Sequence, residues 1–159
     1  MERTVLKYSP SYWDTCLEDN EQFKVGSSSE EFRIIAYQTK QATRNSNLHI
    51  KKILRNQNIH DFGQLLIREQ LMAVLRSYEK YYRVRRFITI KKQFLTNALQ
   101  YNLDHRRCGK SSLIFGKYLT YVGDDDVVLV VQVLTNSPNS DCIAPANSSD
   151  YFIDYIVYL

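Results

Sequence analysis

The chain has the size and composition of one globular domain: its 159 residues are 44% hydrophobic and 24% charged, which excludes wholesale disorder. The formal net charge of +4 is too small to indicate a nucleic-acid-binding protein unless the charge is concentrated in one place. No apolar run is long enough to cross a bilayer, and no secretion signal is visible, so we expect a soluble protein of the cytoplasm or nucleus.

Two strand–helix units are predicted in the first half of the chain. Residues 22–25 suit a short strand, and Ser28 with Glu31 three residues later forms a capping-box pattern. Apolar residues at helical spacing then predict a helix over residues 30–42. Residues 48–54 predict a second strand that ends in the polar turn 55–58.

The second helix is expected to begin near Asp61 and to run to about Tyr78. Its apolar residues form a broad face, so we expect the helix to be largely buried. They are Phe62, Leu65, Leu66, Ile67, Leu71, Met72, Val74 and Leu75.

Strands dominate the second half. Short strands are predicted over residues 87–90, 113–115 and 118–122, and the β-branched run 127–134 is typical of a central strand. A last strand is expected over residues 151–159. Helices early and strands late predict an α+β fold, in which helices pack on a sheet as one domain over residues 1–159.

Four segments, in the same order along the chain, are similar to segments of one known family. They are residues 8–13 (YSPSYW), 23–32, 50–58 (IKKILRNQN) and 102–116. Residues 50–58 resemble the pattern I-x-K-I-x-R-(I/V)-Q-N, with Asn56 at its Ile/Val position, and residues 102–116 resemble the segment before a G-x-G-x-Y-F strand. On these residues the chain resembles the catalytic domain of the poly(ADP-ribose) polymerase superfamily, nearest the mono-ADP-ribosylating branch of TCDD-inducible PARP and zinc-finger antiviral protein.

The resemblance implies an ADP-ribosyltransferase-like fold of antiparallel sheets with helices packed on them, in a truncated form. In this family a His-Gly-Thr triplet, on the strand after the second helix, holds the cofactor NAD. Residues 93–97 are the matching stretch, with Leu95 in the histidine position and Thr96 in the glycine position. Because a leucine side chain cannot hydrogen-bond, the resemblance implies that NAD is not bound as a cofactor.

The family's second site residue, a tyrosine that stacks on nicotinamide, corresponds to Tyr121 or to Tyr118. Thr96 and Tyr118 are expected to line the remnant of the NAD groove. The third position, a glutamate in polymer-forming members, falls on Asp154. The alternative interpretation of residues 151–159, which we favour, is a simple edge strand.

Basic residues and tyrosines are concentrated in residues 76–92, which we call the basic segment. Cations that contact phosphates, with rings that stack on bases, make this segment a candidate RNA-binding site. The alternative, which we favour, is a helix end whose arginines interact with the helix dipole. The cations are Arg76, Lys80, Arg83, Arg85, Arg86, Lys91 and Lys92.

Other groups of residues are weaker candidates for a catalytic or metal-binding site. His105 with Cys108 suits a cysteine hydrolase, but no Asn or Asp is placed by sequence to orient the histidine, so we expect a turn. Residues 124–126 are three aspartates that we interpret as a solvated hairpin rather than a cation site. His49 and His60 are isolated.

The cysteines Cys16, Cys108 and Cys142 are odd in number and contain no CxxC pair, so we expect reduced thiols and no metal.

The sequence therefore predicts a catalytically inactive ADP-ribosyltransferase-like domain that serves as a protein-interaction or scaffolding module. Two alternatives stay open. One is a divergent active mono-ADP-ribosyltransferase that uses NAD, and the other is an RNA-binding module that acts through the basic segment.

Overall fold

The computed structural model describes residues 2–14 and 20–159, so Cys16 lies outside the described residues. This part of the chain forms four α-helices and seven strands. In chain order they are α1 (Glu2–Lys7), β1 (Asn20–Lys24), α2 (Glu30–Thr43), β2 (Lys52–Asn58), α3 (Ile59–Leu75), β3 (Tyr82–Lys91), α4 (Leu95–Gln100), β4 (Phe115–Gly116), β5 (Asp126–Thr135), β6 (Cys142–Ile143) and β7 (Tyr151–Tyr158).

All seven strands belong to one sheet in the order β1-β2-β7-β5-β3-β4-β6, and each neighbouring pair is antiparallel. The predicted α+β class with an antiparallel sheet is confirmed. Strand β5 is buried along its whole length, which confirms the central strand predicted from its β-branched residues.

Alternation along β5 divides the core between the two faces of the sheet. Val127 and Leu129 point to one face, where Ala98 of α4 joins the same cluster. Val128 and Val130 point to the opposite face and share a cluster with Ile35 of α2. Helix α3 covers a neighbouring part of this second face, in a cluster that includes Phe62, Leu65, Leu134 and Phe152.

Helix α2 confirms the predicted helix, but its cap lies one residue later than expected. The hydroxyl of Ser29, not Ser28, accepts a hydrogen bond from the backbone N–H of Phe32 at 3.1 Å. The helix ends at Arg44, which adopts the left-handed conformation with φ 53°. This conformation favours glycine, so an arginine there carries a local cost.

Strand β2 is shifted by four residues from the predicted strand, and the expected polar turn at residues 55–58 is wrong. These polar residues continue the strand, because their side chains find internal partners. Asn56 donates to the carbonyl oxygen of Ile153 at 2.8 Å. Asn58 caps α3 by accepting from the backbone N–H of Asp61 at 3.0 Å.

Helix α3 has two apolar faces, so the prediction that it is largely buried is only half right. Phe62, Leu65 and Met72 are buried against the sheet. Leu66 also packs against the core, but four other apolar side chains lie on the outside, where they form a three-turn stripe with a tyrosine beyond the helix end. We call this set the outer stripe of α3: Ile67, Leu71, Val74, Leu75 and Tyr78.

The segment after α4 forms less strand than expected. Of the predicted strand at residues 113–115, only the end lies in β4, and residues 118–122 form no strand. Leu119 instead donates its backbone N–H to the carbonyl oxygen of Ala42 at 2.8 Å. A Cβ at Gly116 would collide with the Tyr118 carbonyl oxygen, so glycine is required for this tight turn toward α2.

Candidate functional site

A cluster of polar side chains lies between the α2 and α3 parts of the core, on the same face of the sheet. Asp154 of β7 is fully buried and accepts hydrogen bonds from Gln132 at 2.9 Å, from Arg85 at 3.0 Å and from the Tyr12 hydroxyl at 3.2 Å. Arg85 also donates to Gln38 of α2 at 3.0 Å. We call these five residues the central polar cluster.

A β-bulge creates the geometry of this cluster. Val130 pairs with Tyr155 and Val131 with Ile153, so Asp154 has no partner residue on β5. In such a bulge two successive side chains depart from strict alternation. Asp154 therefore lies on the same face as Tyr155, whose ring stacks with Tyr12 at a centroid distance of 6.2 Å.

Burial sets the protonation behaviour of the cluster. Loss of solvent raises the pKa of Asp154, while the Arg85 guanidinium and the hydrogen bonds from Gln132, Arg85 and Tyr12 limit the rise. The pKa of the Tyr12 hydroxyl is also raised, first by burial and then by the neighbouring Asp154 charge. The carboxylate of the cluster is thus held by a cation rather than presented to solvent, although the buried Nε of Arg85 has no hydrogen-bond partner.

A second internal network surrounds Arg55 of β2. Its guanidinium bonds both oxygens of Glu31 at 2.7 Å and an oxygen of Asp14 at 2.8 Å. The Tyr155 hydroxyl donates to Glu31 at 2.8 Å. Burial by itself would raise the pKa of Glu31, but the bonds from Arg55 and Tyr155 together lower it.

A groove of about 350 Å³ lies beside β3, at the segment that follows β4. Tyr118 and Tyr121, the two candidates for the stacking tyrosine, both line it. None of its lining residues is a histidine or a carboxylate. They are Phe87, Ile88, Thr89, Lys110, Ser112, Ile114, Gly116, Tyr118, Leu119, Thr120, Tyr121 and Cys142.

Leu95 and Thr96 do not line this groove. The stretch 93–97, expected on a strand, forms the start of α4, so the predicted position of the His-Gly-Thr triplet is wrong in its secondary structure. Leu95 packs against the core on the α4 face of the sheet. Leu119 and Val122, which flank Tyr121, pack against the core on the α2 face. The groove that Thr96 and Tyr118 were expected to line together is therefore lined by Tyr118 without Thr96.

The strand that follows the second long helix is β3. Its sequence, YRVRRFITIK, contains neither histidine nor glycine. Ile88 and Thr89 are the β3 residues that border the groove together with Phe87.

Asp154 does not reach this groove either, and the interpretation of its segment as an edge strand is wrong. Strand β7 lies between β2 and β5 in the interior of the sheet. Seven of its eight residues are buried, because both faces of the strand are covered.

The basic segment is largely a strand, so its interpretation as a helix end is wrong beyond Arg76. Arg76, Arg83, Arg85 and Lys91 form ion pairs with Glu79, Glu69, Asp154 and Asp126. Arg86 is buried and donates to the carbonyl oxygens of Pro138 and Ser140. Lys92 donates to the Asp124 carbonyl oxygen, and the Lys80 amine lies 5.1 Å from the centre of the Tyr82 ring.

The other constellations are structural. Cys108 is buried, which raises its thiol pKa, and its backbone N–H donates to the carbonyl oxygen of His105 in the expected turn. The prediction that residues 124–126 form a solvated hairpin is wrong for Asp126. It is buried at the start of β5, where it accepts the Gly123 N–H at 2.7 Å and pairs with Lys91 at 2.7 Å.

His49 and His60 are both exposed, and they lie away from the groove.

Sequence reasoning missed a set of side chains on α2 and its C-cap that adjoin the groove, of which Tyr37 and Arg44 are exposed and Lys40 is half-buried. Tyr37, Lys40 and Arg44 line a second depression of about 520 Å³, which also includes Tyr118. Their i, i+3, i+7 spacing was a visible signal that they share a helix face. Their proximity to Tyr118 was not visible, because it depends on the turn at Gly116.

No protein-family model and no curated protein matches this chain. Among the helices described, none is both long enough and apolar enough to cross a membrane. Within residues 2–14 and 20–159, no three histidine, cysteine or carboxylate side chains converge as ligands of a metal ion would.

Proposed function

We propose that this chain is a catalytically inactive ADP-ribosyltransferase-like domain that works as a protein-interaction module. The observation that carries the proposal is the state of Asp154, the residue that matches the family's third site position. It is fully buried in the central polar cluster and paired with Arg85, so it is not available to a substrate.

The groove beside β3 supports the same conclusion. Binding of the NAD ribose in the family depends on a histidine, and none of the three histidines of the chain lines this groove. Aliphatic side chains such as Ile88 cannot replace its hydrogen bonds. The NAD ribose would therefore lack the hydrogen bonds that a histidine gives it, which costs affinity.

The outer stripe of α3 supports the interaction role. Its side chains are 42–79% exposed, and they lie on one side of the helix and at Tyr78, three residues beyond its end. A contiguous apolar surface of this kind on a globular domain is typical of a protein contact site. The stripe lies on the outside of the helix whose inner face covers the sheet.

Calorimetric titration with NAD tests the loss of cofactor binding directly. We expect no saturable heat, and incubation with labelled NAD should leave the protein unlabelled. Asp154→Asn is the matched variant, since it keeps the shape of the side chain and removes its charge. Saturable binding with release of nicotinamide, abolished in Asp154→Asn, would support an active mono-ADP-ribosyltransferase and contradict the proposal.

A further inference from the structure

Two adjoining depressions meet at Tyr118 and form one continuous surface between α2 and the segment after β4. One depression is lined by α2 residues and the other by the groove beside β3, and Tyr118 belongs to both. We call the aromatic and cationic residues of this region the Tyr118 surface: Tyr37, Lys40, Arg44, Lys110, Lys117, Tyr118 and Tyr121.

The cations of the Tyr118 surface are not joined to carboxylates by ion pairs. None of Lys40, Arg44, Lys110 and Lys117 forms an ion pair with a carboxylate of the described residues. Neither depression has an aspartate or glutamate in its lining. The charges are therefore available to an anionic ligand.

Exposed rings lie among these cations. Tyr37 is 62% exposed, Tyr118 40% and Tyr121 76%. The guanidinium of Arg44 lies over the Tyr118 ring at 4.3 Å from its centroid, and the Lys117 amine lies 5.7 Å from the same point. Rings and cations side by side are the arrangement that holds bases by stacking and the backbone by charge.

We propose that the Tyr118 surface binds single-stranded RNA. Lys40, Arg44, Lys110 and Lys117 would contact phosphates, and the three tyrosine rings would stack on bases. Clustered cations alone suffice for a phosphorylated lipid headgroup, which has no base for a ring to stack on, whereas rings distributed over two depressions suit a polymer of bases. The inference is independent of NAD binding, since it uses neither a histidine nor Asp154.

Fluorescence anisotropy with a labelled oligouridylate of about 10 nucleotides tests the proposal. We expect binding that weakens steeply as salt rises, because phosphate contacts release counterions. The double variant Lys40→Ala/Arg44→Gly should weaken binding about tenfold and flatten the salt dependence. Glycine suits the left-handed backbone at Arg44, so misfolding would not explain the loss.

The matched control is Lys24→Ala/Lys51→Ala, which removes two exposed cations elsewhere on the chain. We expect it to change binding about twofold or less. An equal loss in the control and in the Lys40→Ala/Arg44→Gly variant would show non-specific attraction and overturn the proposal. So would the absence of binding to the oligouridylate at low salt.

Stacking is tested separately at Tyr121, the most exposed of the three rings. Tyr121→Ala should weaken RNA binding about fivefold or more, whereas Tyr121→Phe should retain it, since only the ring is needed. Equal affinities for these two variants would contradict a stacking role. Vesicles that contain a phosphoinositide serve as the competing probe, and binding to them without binding to RNA would also overturn the proposal.

Discussion

The basic segment and the Tyr118 surface are built from the same residue types, arginine, lysine and tyrosine, but the fold uses them differently. In the basic segment four of the seven cations are joined to carboxylates, and Arg86 is bound to backbone carbonyls. On the Tyr118 surface the cations have no such partners among the described residues. A high density of charge in sequence therefore does not identify a binding surface, because charge is available only where the fold leaves it unpaired.

The largest expected effect lies in the basic segment, at Arg85. Arg85→Ala should lower the free energy of unfolding by about 3 kcal/mol, because it leaves the buried Asp154 carboxylate without its cation. Urea denaturation measures the loss. The double variant Arg85→Ala/Asp154→Asn should recover part of it, since the unpaired charge is then removed. A loss below about 1 kcal/mol would mean that the pair with Asp154 contributes little to stability. It would contradict the distinction between the paired cations of the basic segment and the unpaired cations of the Tyr118 surface.

A smaller effect is expected at Glu31, which holds Arg55 in the same internal manner. Glu31→Gln should lower the free energy of unfolding by about 2 kcal/mol at neutral pH. The lowered folded-state pKa of Glu31 means that its stabilisation is fully present above the ordinary value of 4.5 and is lost as pH falls below it. Thermal unfolding of the unchanged protein and of Glu31→Gln should show that their difference in stability disappears as the pH falls below 4.5. A constant difference would contradict this assignment.

The smallest expected effect is a difference in stability at Arg44, on the Tyr118 surface. Arg44→Gly should be more stable than Arg44→Ala by about 1 kcal/mol, because only glycine adopts φ 53° without a steric cost. Both variants lose the contact with the Tyr118 ring, so their difference isolates the backbone. Melting temperatures measure it. Identical values would show that the left-handed conformation is not retained at residue 44.

The elements with a strong periodic pattern were the ones that could be predicted from sequence. Helix α2 follows from its apolar spacing, and β5 follows from its β-branched run. Strand β2 was misplaced because Arg55 and Asn56 read as a turn, although buried hydrogen bonds make them strand residues. Long-range partners decide such positions, and local pattern does not contain them.

The candidate sites also depend on long-range partners that local sequence patterns do not contain. The pairing of Arg85 with Asp154 joins residues 69 positions apart, and it depends on a register that the sequence does not reveal. The Tyr118 surface likewise unites α2 with a segment beyond β4. Tyr118 and Tyr121 line one groove, and which of them holds the stacking position stays a prediction, whereas Leu95 and Thr96 lie elsewhere because residues 93–97 lie in and before a helix.

The unpaired position of Asp154 has a consequence for how the chain can vary. Tyr151, Ile153 and Ile156 all lie on the α4 side of the sheet. Ile153 and Ile156 are three positions apart, not two, so the alternation of side chains is interrupted at Asp154. Without Asp154 the strand would alternate strictly, with Ile153 and Ile156 still on the α4 side and Tyr155 still on the α2 side. Deleting position 154 should therefore keep both layers of the core and remove only the carboxylate that the central polar cluster surrounds.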